Sequence, residues 1–84
     1  MEIVKAFQDN DLNIPINVKG THEEPLFRAS DVGLVLGFND INNTIKSFKQ
    51  NEKVRLSTPT LGGQQDVNFL TEKGLYKLLF KSDL

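Results

Sequence analysis

Apolar and polar residues alternate from Leu12 to Lys19. Leu12, Ile14, Ile16 and Val18 stand against Asn13, Pro15, Asn17 and Lys19. A period of two marks a strand with one face in a core. Pro15 has no N–H to give a ladder, which assigns this strand to a sheet edge or a bulge. Ahead of it, residues 2–8 (EIVKAFQ) mix β-branched and aromatic residues and predict a first strand. Asp9-Asn10-Asp11 then reads as a turn. Lys19 to Glu24 predicts a hairpin loop, and residues 25–29 (PLFRA) a third short strand.

The period then becomes helical. Ser30 or Asp31 is placed to cap a helix over 31–37 by accepting a first-turn N–H. Val32, Val35 and Leu36 share one face, and Gly37 ends the helix. Asn39 is placed to cap a second helix over 39–50, with Asp40 complementing its dipole. Ile41, Ile45 and Phe48 form an apolar stripe at i, i+4 and i+7. Residues 54–70 predict a hairpin. Val54 and Leu56 alternate with Arg55 and Ser57, Val67 and Phe69 with Asp66 and Asn68. Gly62-Gly63 offers the positive φ angles of a tight turn. Thr71 caps a final helix over 72–81, with Leu75, Leu78 and Leu79 inward, Tyr76 and Phe80 beside them, and Lys73, Lys77 and Lys81 on the opposite side. The order is βββααββα. That is a small α+β domain: two short helices in a helix-turn-helix-like arrangement, packed on antiparallel strands, plus a C-terminal helix.

Composition narrows the chemistry. Eighty-four residues make one domain, 1–84, and a chain of this size buries about 60–65% of its unfolded surface, leaving little room for an enclosed active site. It has no cysteine, so disulfides, thiolate catalysis and Cys-based zinc sites are excluded. No apolar run suits a signal peptide or a membrane span, and an intracellular location is expected. The single histidine, His22, sits in a polar loop without HExxH spacing, beside Glu23 and Glu24, which read as solvated. Gly62-Gly63 lies between strands and lacks the GxxxxGK[ST] of a phosphate loop. No enzyme activity, metal or cofactor is expected.

Charge is uneven. The net value is −1, which argues against nucleic acid in itself. Residues 1–40 hold seven acids and three bases, however, and residues 41–84 four acids and seven bases. A dipolar domain with one basic face follows. In a helix-turn-helix the second helix meets base edges in the major groove. Asn39, Asn42 and Asn43 are of the type that pairs bidentately with adenine. Lys46 and Lys49 lie a turn further on, and Lys53 and Arg55 extend the set at the start of the hairpin. Double-stranded DNA is the partner this constellation suggests. The alternative is a protein-interaction module that binds a repressor, or a homodimer formed through the edge strand around Pro15.

Two blocks resemble the Bro-N domain family, the N-terminal domain of phage antirepressor-like proteins and of Bro proteins of large DNA viruses. The first is PLFRASDVGLVLGF, with Phe27, Ala29, Asp31-Val32 and Leu36-Gly37-Phe38. The second is NFLTEKGLYKLLFKS, with Glu72, Gly74-Leu75-Tyr76, Leu78, Phe80 and Ser82. The resemblance covers about residues 12–82. It implies a DNA-binding, transcription-regulating module of a viral or prophage protein, the N-terminal part of a longer chain, working in the bacterial cytoplasm or a virus's host cell. Family members often carry Arg or Lys in the second helix. Here that segment is Asp40-Ile41-Asn42-Asn43-Thr44-Ile45-Lys46-Ser47, with fewer bases and an early acid.

Overall fold

A computed structural model describes residues 16–81. The strand expected at 2–8, the turn at 9–11, and Leu12 to Pro15 with the pairing edge proposed there lie outside the described residues. The order observed is β1 (Val18–Gly20), β2 (Pro25–Arg28), α1 (Ala29–Leu36), α2 (Ile41–Thr44), β3 (Lys53–Thr60), β4 (Gly63–Leu70) and α3 (Glu72–Lys81). All pairings are antiparallel, in the sheet order β1-β2-β4-β3. The α+β class and the expected order hold over these residues. Among them, no helix is long and apolar enough to cross a membrane.

The core lies between one sheet face and the helices. Phe27 and Leu70, directly opposed on β2 and β4, are fully buried with Val32, Ile45, Leu75 and Leu78. Burial at the end of β4 is two-sided. Phe69 is also fully buried, and its register partners on the opposite face are Arg28 and Val54. The Lys19 ammonium lies 5.2 Å from its ring centroid, a cation–π contact.

Three local expectations change. α1 begins at Ala29, with extended Arg28 before it and no side-chain cap. Asp31 does not cap. Its Oδ2 accepts from the Asn17 backbone N–H at 2.9 Å and the Asn17 side-chain amide at 3.0 Å, tying the chain ahead of β1 to the first turn of the helix. The second helix is the largest correction: it spans four residues, not 39–50. Asp40, rather than Asn39, caps it, accepting the Asn43 N–H at 3.3 Å. Asn-Asn-Thr is a poor helical run, because short polar side chains compete for backbone groups. The Thr44 hydroxyl does so, donating to the Asp40 carbonyl at 3.0 Å. Beyond it the chain turns through i→i+3 bonds, Phe48 N–H to the Ile45 carbonyl and Glu52 N–H to the Lys49 carbonyl, both 2.9 Å. Ile41, Ile45 and Phe48 are nevertheless all buried. The apolar stripe is real, and one helical turn followed by tight turns satisfies it. The third change is Phe80, expected beside the core: it is 88% exposed, on the last turn of α3.

The link from α2 into β3 is clamped from α3. The Glu52 carboxylate is buried and accepts the Lys49 N–H at 2.7 Å and the Lys77 ammonium at 3.2 Å. Lys77 also sits 4.8 Å from the Phe48 ring centroid. The Glu52 carbonyl accepts the Thr71 N–H at 3.1 Å. The Thr71 hydroxyl donates to the Asn51 carbonyl at 2.7 Å and accepts the Gly74 N–H at 3.1 Å, capping α3 as the sequence predicts. Gly74 is required by this closeness: a Cβ there would collide with the Glu52 carbonyl oxygen.

Candidate nucleic-acid interface

Side chains on a strand alternate between faces. Lys53 and Arg55 therefore share one face of the β3–β4 hairpin. Arg55 pairs with Asn68 and Ser57 with Asp66, which adds Asn68 and Asp66 to that face. α2 lies against it: the Asn68 side-chain amide donates to Asn42 Oδ1 at 3.1 Å. The Lys53 ammonium donates to the Lys46 carbonyl at 3.1 Å, fixing the chain after α2 to the start of β3. The result is a groove of about 480 Å³ whose walls include Arg28, Asn42, Lys46, Lys53, Arg55 and Asn68. Asp66 is the one carboxylate among its lining residues. Four bases against one acid make it a cationic surface on a near-neutral domain.

Of the seven residues singled out in the sequence, the groove gathers Asn42, Lys46, Lys53 and Arg55. Asn39, Asn43 and Lys49 are exposed but do not line it. Shortening of the second helix is the reason, since a single turn presents fewer positions to one side. The Asn43 N–H is committed to the Asp40 cap, and the Lys49 N–H to Glu52.

The sequence reading missed Arg28 and Asn68. Arg28 comes from the other face of the sheet: β2 ends at Arg28 beside Phe69 of β4, and Arg28 lines the groove together with Gln65 and Val67. No local pattern announces that pairing. Its Nε is buried without a hydrogen-bond partner, which leaves a charged donor unsatisfied. Asn68 carried a signal, because it alternates with Val67 and Phe69 and so had to face away from them.

Charge elsewhere on the domain has the opposite sign. A second cleft of about 480 Å³ is lined by Glu23, Glu24 and Glu72, with Lys73 its one base. Glu52 is held ionised: the Lys49 N–H, with help from Lys77, lowers its pKa below 4.5 against the opposing effect of burial. Tyr76 shifts upward from 10.0, through burial first and then the charge of Glu72, to which its hydroxyl donates at 3.3 Å. Both groups serve the frame and not the groove.

With this geometry in place, the comparisons with known proteins are specific. The family model described as "BRO family, N-terminal domain" matches residues 15–84. No curated protein and no solved structure matches the chain.

Proposed function

The chain belongs to the BRO family, N-terminal domain, and we propose on that footing that it binds duplex DNA through the groove between α2 and the β3–β4 hairpin. The family is associated with phage and viral antirepressor-like, DNA-binding regulatory proteins. The observation that carries the reading for this chain is the convergence of Arg28, Lys46, Lys53 and Arg55 around two amides, Asn42 and Asn68. The bases position the phosphate backbone, and the amides supply the group that recognises adenine in the major groove. A two-stranded ribbon fits the major groove as well as a helix does, so a one-turn α2 is no obstacle. The reading surface is composite, with α2 contributing Asn42 and the ribbon Arg55 and Asn68. Base contact requires Asn42 to exchange its bond to Asn68 for one to the base, a trade of about 1 kcal/mol on each side.

The test is fluorescence anisotropy with a mixed-sequence duplex at low salt. Lys46→Glu with Arg55→Glu abolishes retention, and circular dichroism shows the fold intact. Lys49→Glu, which does not line the groove, weakens binding far less than the double variant does. Wild-type affinity in the double variant removes the groove from the proposal. A protein partner is the second reading, favoured by Leu34 and Phe80, which are 65% and 88% exposed. Light scattering with a candidate repressor, before and after Phe80→Ser, tests it.

A further inference from the structure

The tip of the β3–β4 hairpin carries a feature that neither the core nor the groove uses. Leu61 has a relative exposure of 110%; no other described residue covers it. Turn positions ordinarily hold Gly, Asn, Asp or Ser. The turn that presents it is stiff. The Thr60 hydroxyl donates to the Gly63 carbonyl at 2.8 Å and accepts the Gly62 N–H at 3.2 Å. Ser57 donates to Gln64 Oε1 at 3.0 Å across the ribbon. Gly63 takes a φ of 102°, the one left-handed residue of the glycine pair. Exposed Pro59 has no N–H and keeps the neighbouring edge from pairing.

The tip is continuous with the cationic groove. Arg28 and Gln65 line that groove and also the shallow depression formed by Pro59, Thr60, Leu61 and Gly62. From Ser57 to Gln65 the chain has no charged residue of either sign, so nothing there repels phosphate. The exposed amides of Gln64 and Gln65 supply donors for the adenine N3 and thymine O2 acceptors of a minor groove.

We propose that the hairpin tip enters the minor groove next to the groove-bound major groove and wedges Leu61 between two base pairs. This rests on the DNA reading above. The reach agrees: Leu61 lies six steps along the strand from Arg55, about 20 Å at about 3.3 Å per residue. A helical turn of about 34 Å puts the flanking minor groove about 17 Å away. Apolar side chains inserted this way unstack a base step and kink the duplex by about 20–90°. One leucine is far too small for a protein interface, which needs on the order of 1,000 Å², but it is the right size for one base step.

The experiment is a doubly labelled duplex of mixed sequence, read by energy transfer for bending and by anisotropy for affinity. It compares the parent chain with Leu61→Ala and Leu61→Ser. Leu61 is outside the core, so both variants fold, as melting curves verify. Support is a bend of at least about 20° with the parent, lost in both variants with affinity down about tenfold. Binding without a bend in the parent overturns the wedge, as does unchanged bending in Leu61→Ala. The two readings separate cleanly. If Lys46→Glu with Arg55→Glu ends binding while the Leu61 variants match the parent, the wedge alone is wrong. If the parent is not retained on DNA, both are wrong.

Discussion

Each base that neutralises a phosphate releases a counterion, so the groove predicts a salt slope. Arg28, Lys46, Lys53 and Arg55 line it. Four phosphate contacts give a slope of log K against log salt of about −0.9 × 4, or about −3.6. Raising salt from about 50 to about 200 mM then lowers affinity about 150-fold. Arg28→Gln or Arg55→Gln removes one contact and reduces the slope to about −2.7, a loss of about 40-fold over the same range. Lys49→Gln leaves it at about −3.6, because Lys49 does not line the groove. Anisotropy titrations at four or five salt concentrations give the slope directly. Arg28 is the most informative position, since only the fold connects it with the others. A slope indifferent to Arg28 but reduced by Lys49→Gln refutes the grouping and returns the site to the exposed side of residues 39–50. A parent slope shallower than about −1 refutes phosphate binding in the groove altogether.

Two predictions concern the frame that holds the site. Gly74→Ala places a Cβ on the Glu52 carbonyl oxygen; overpacking of about 3 kcal/mol outweighs the gain of about 1 kcal/mol in helix propensity. The net loss of about 2 kcal/mol lowers the melting temperature by about 10 °C, and a rise in melting temperature contradicts the contact. Glu52→Gln keeps an acceptor for the Lys49 N–H but loses the charge that faces Lys77. Because the folded pKa of Glu52 lies below 4.5, its stabilisation is present above that value and lost as pH falls through the folded one. Parent and variant therefore differ in melting temperature at pH 7 and converge toward pH 3, and a gap of equal size at both refutes the sign.

The sequence announced whatever is decided over a few residues. α3 runs over 72–81 as expected, because a threonine cap and the Leu75/Leu78 stripe are local signals. The hairpin also formed where alternation placed it, although of the two glycines only Gly63 takes a positive φ and the turn itself is Leu61-Gly62. The second helix shows the limit of such signals. A stripe at i, i+4 and i+7 demands only that Ile41, Ile45 and Phe48 reach one core, and Asn42-Asn43-Thr44 let the backbone reach it by turns. Phe80 shows another limit: a helical face reveals which residues line up, and not where the helix outruns its partner. The groove was half legible. Asn42, Lys46, Lys53 and Arg55 lie within fourteen residues, whereas Arg28 and Asn68 arrive through β2–β4 and β3–β4 pairing.

A net charge of −1 is compatible with phosphate binding once position is considered. Long-range attraction depends on net charge and is weak here, while contact affinity depends on what lies within about 10 Å at ordinary salt. Among the lining residues an anion in the groove would meet four bases and Asp66; the carboxylates of Glu23, Glu24 and Glu72 line a different cleft. The remaining requirement is that the bases stay in place. Lys46 and Lys53 flank a turn that would be loose by itself, and the Lys53 ammonium bonded to the Lys46 carbonyl closes it from one side. Glu52 closes it from the other, through Lys49, Lys77 and Thr71. The acid nearest these lysines in sequence is thus turned into the core, where it anchors the turn to α3 instead of opposing the phosphate. The charge that made the chain look near-neutral is in this way part of what orders its cationic surface.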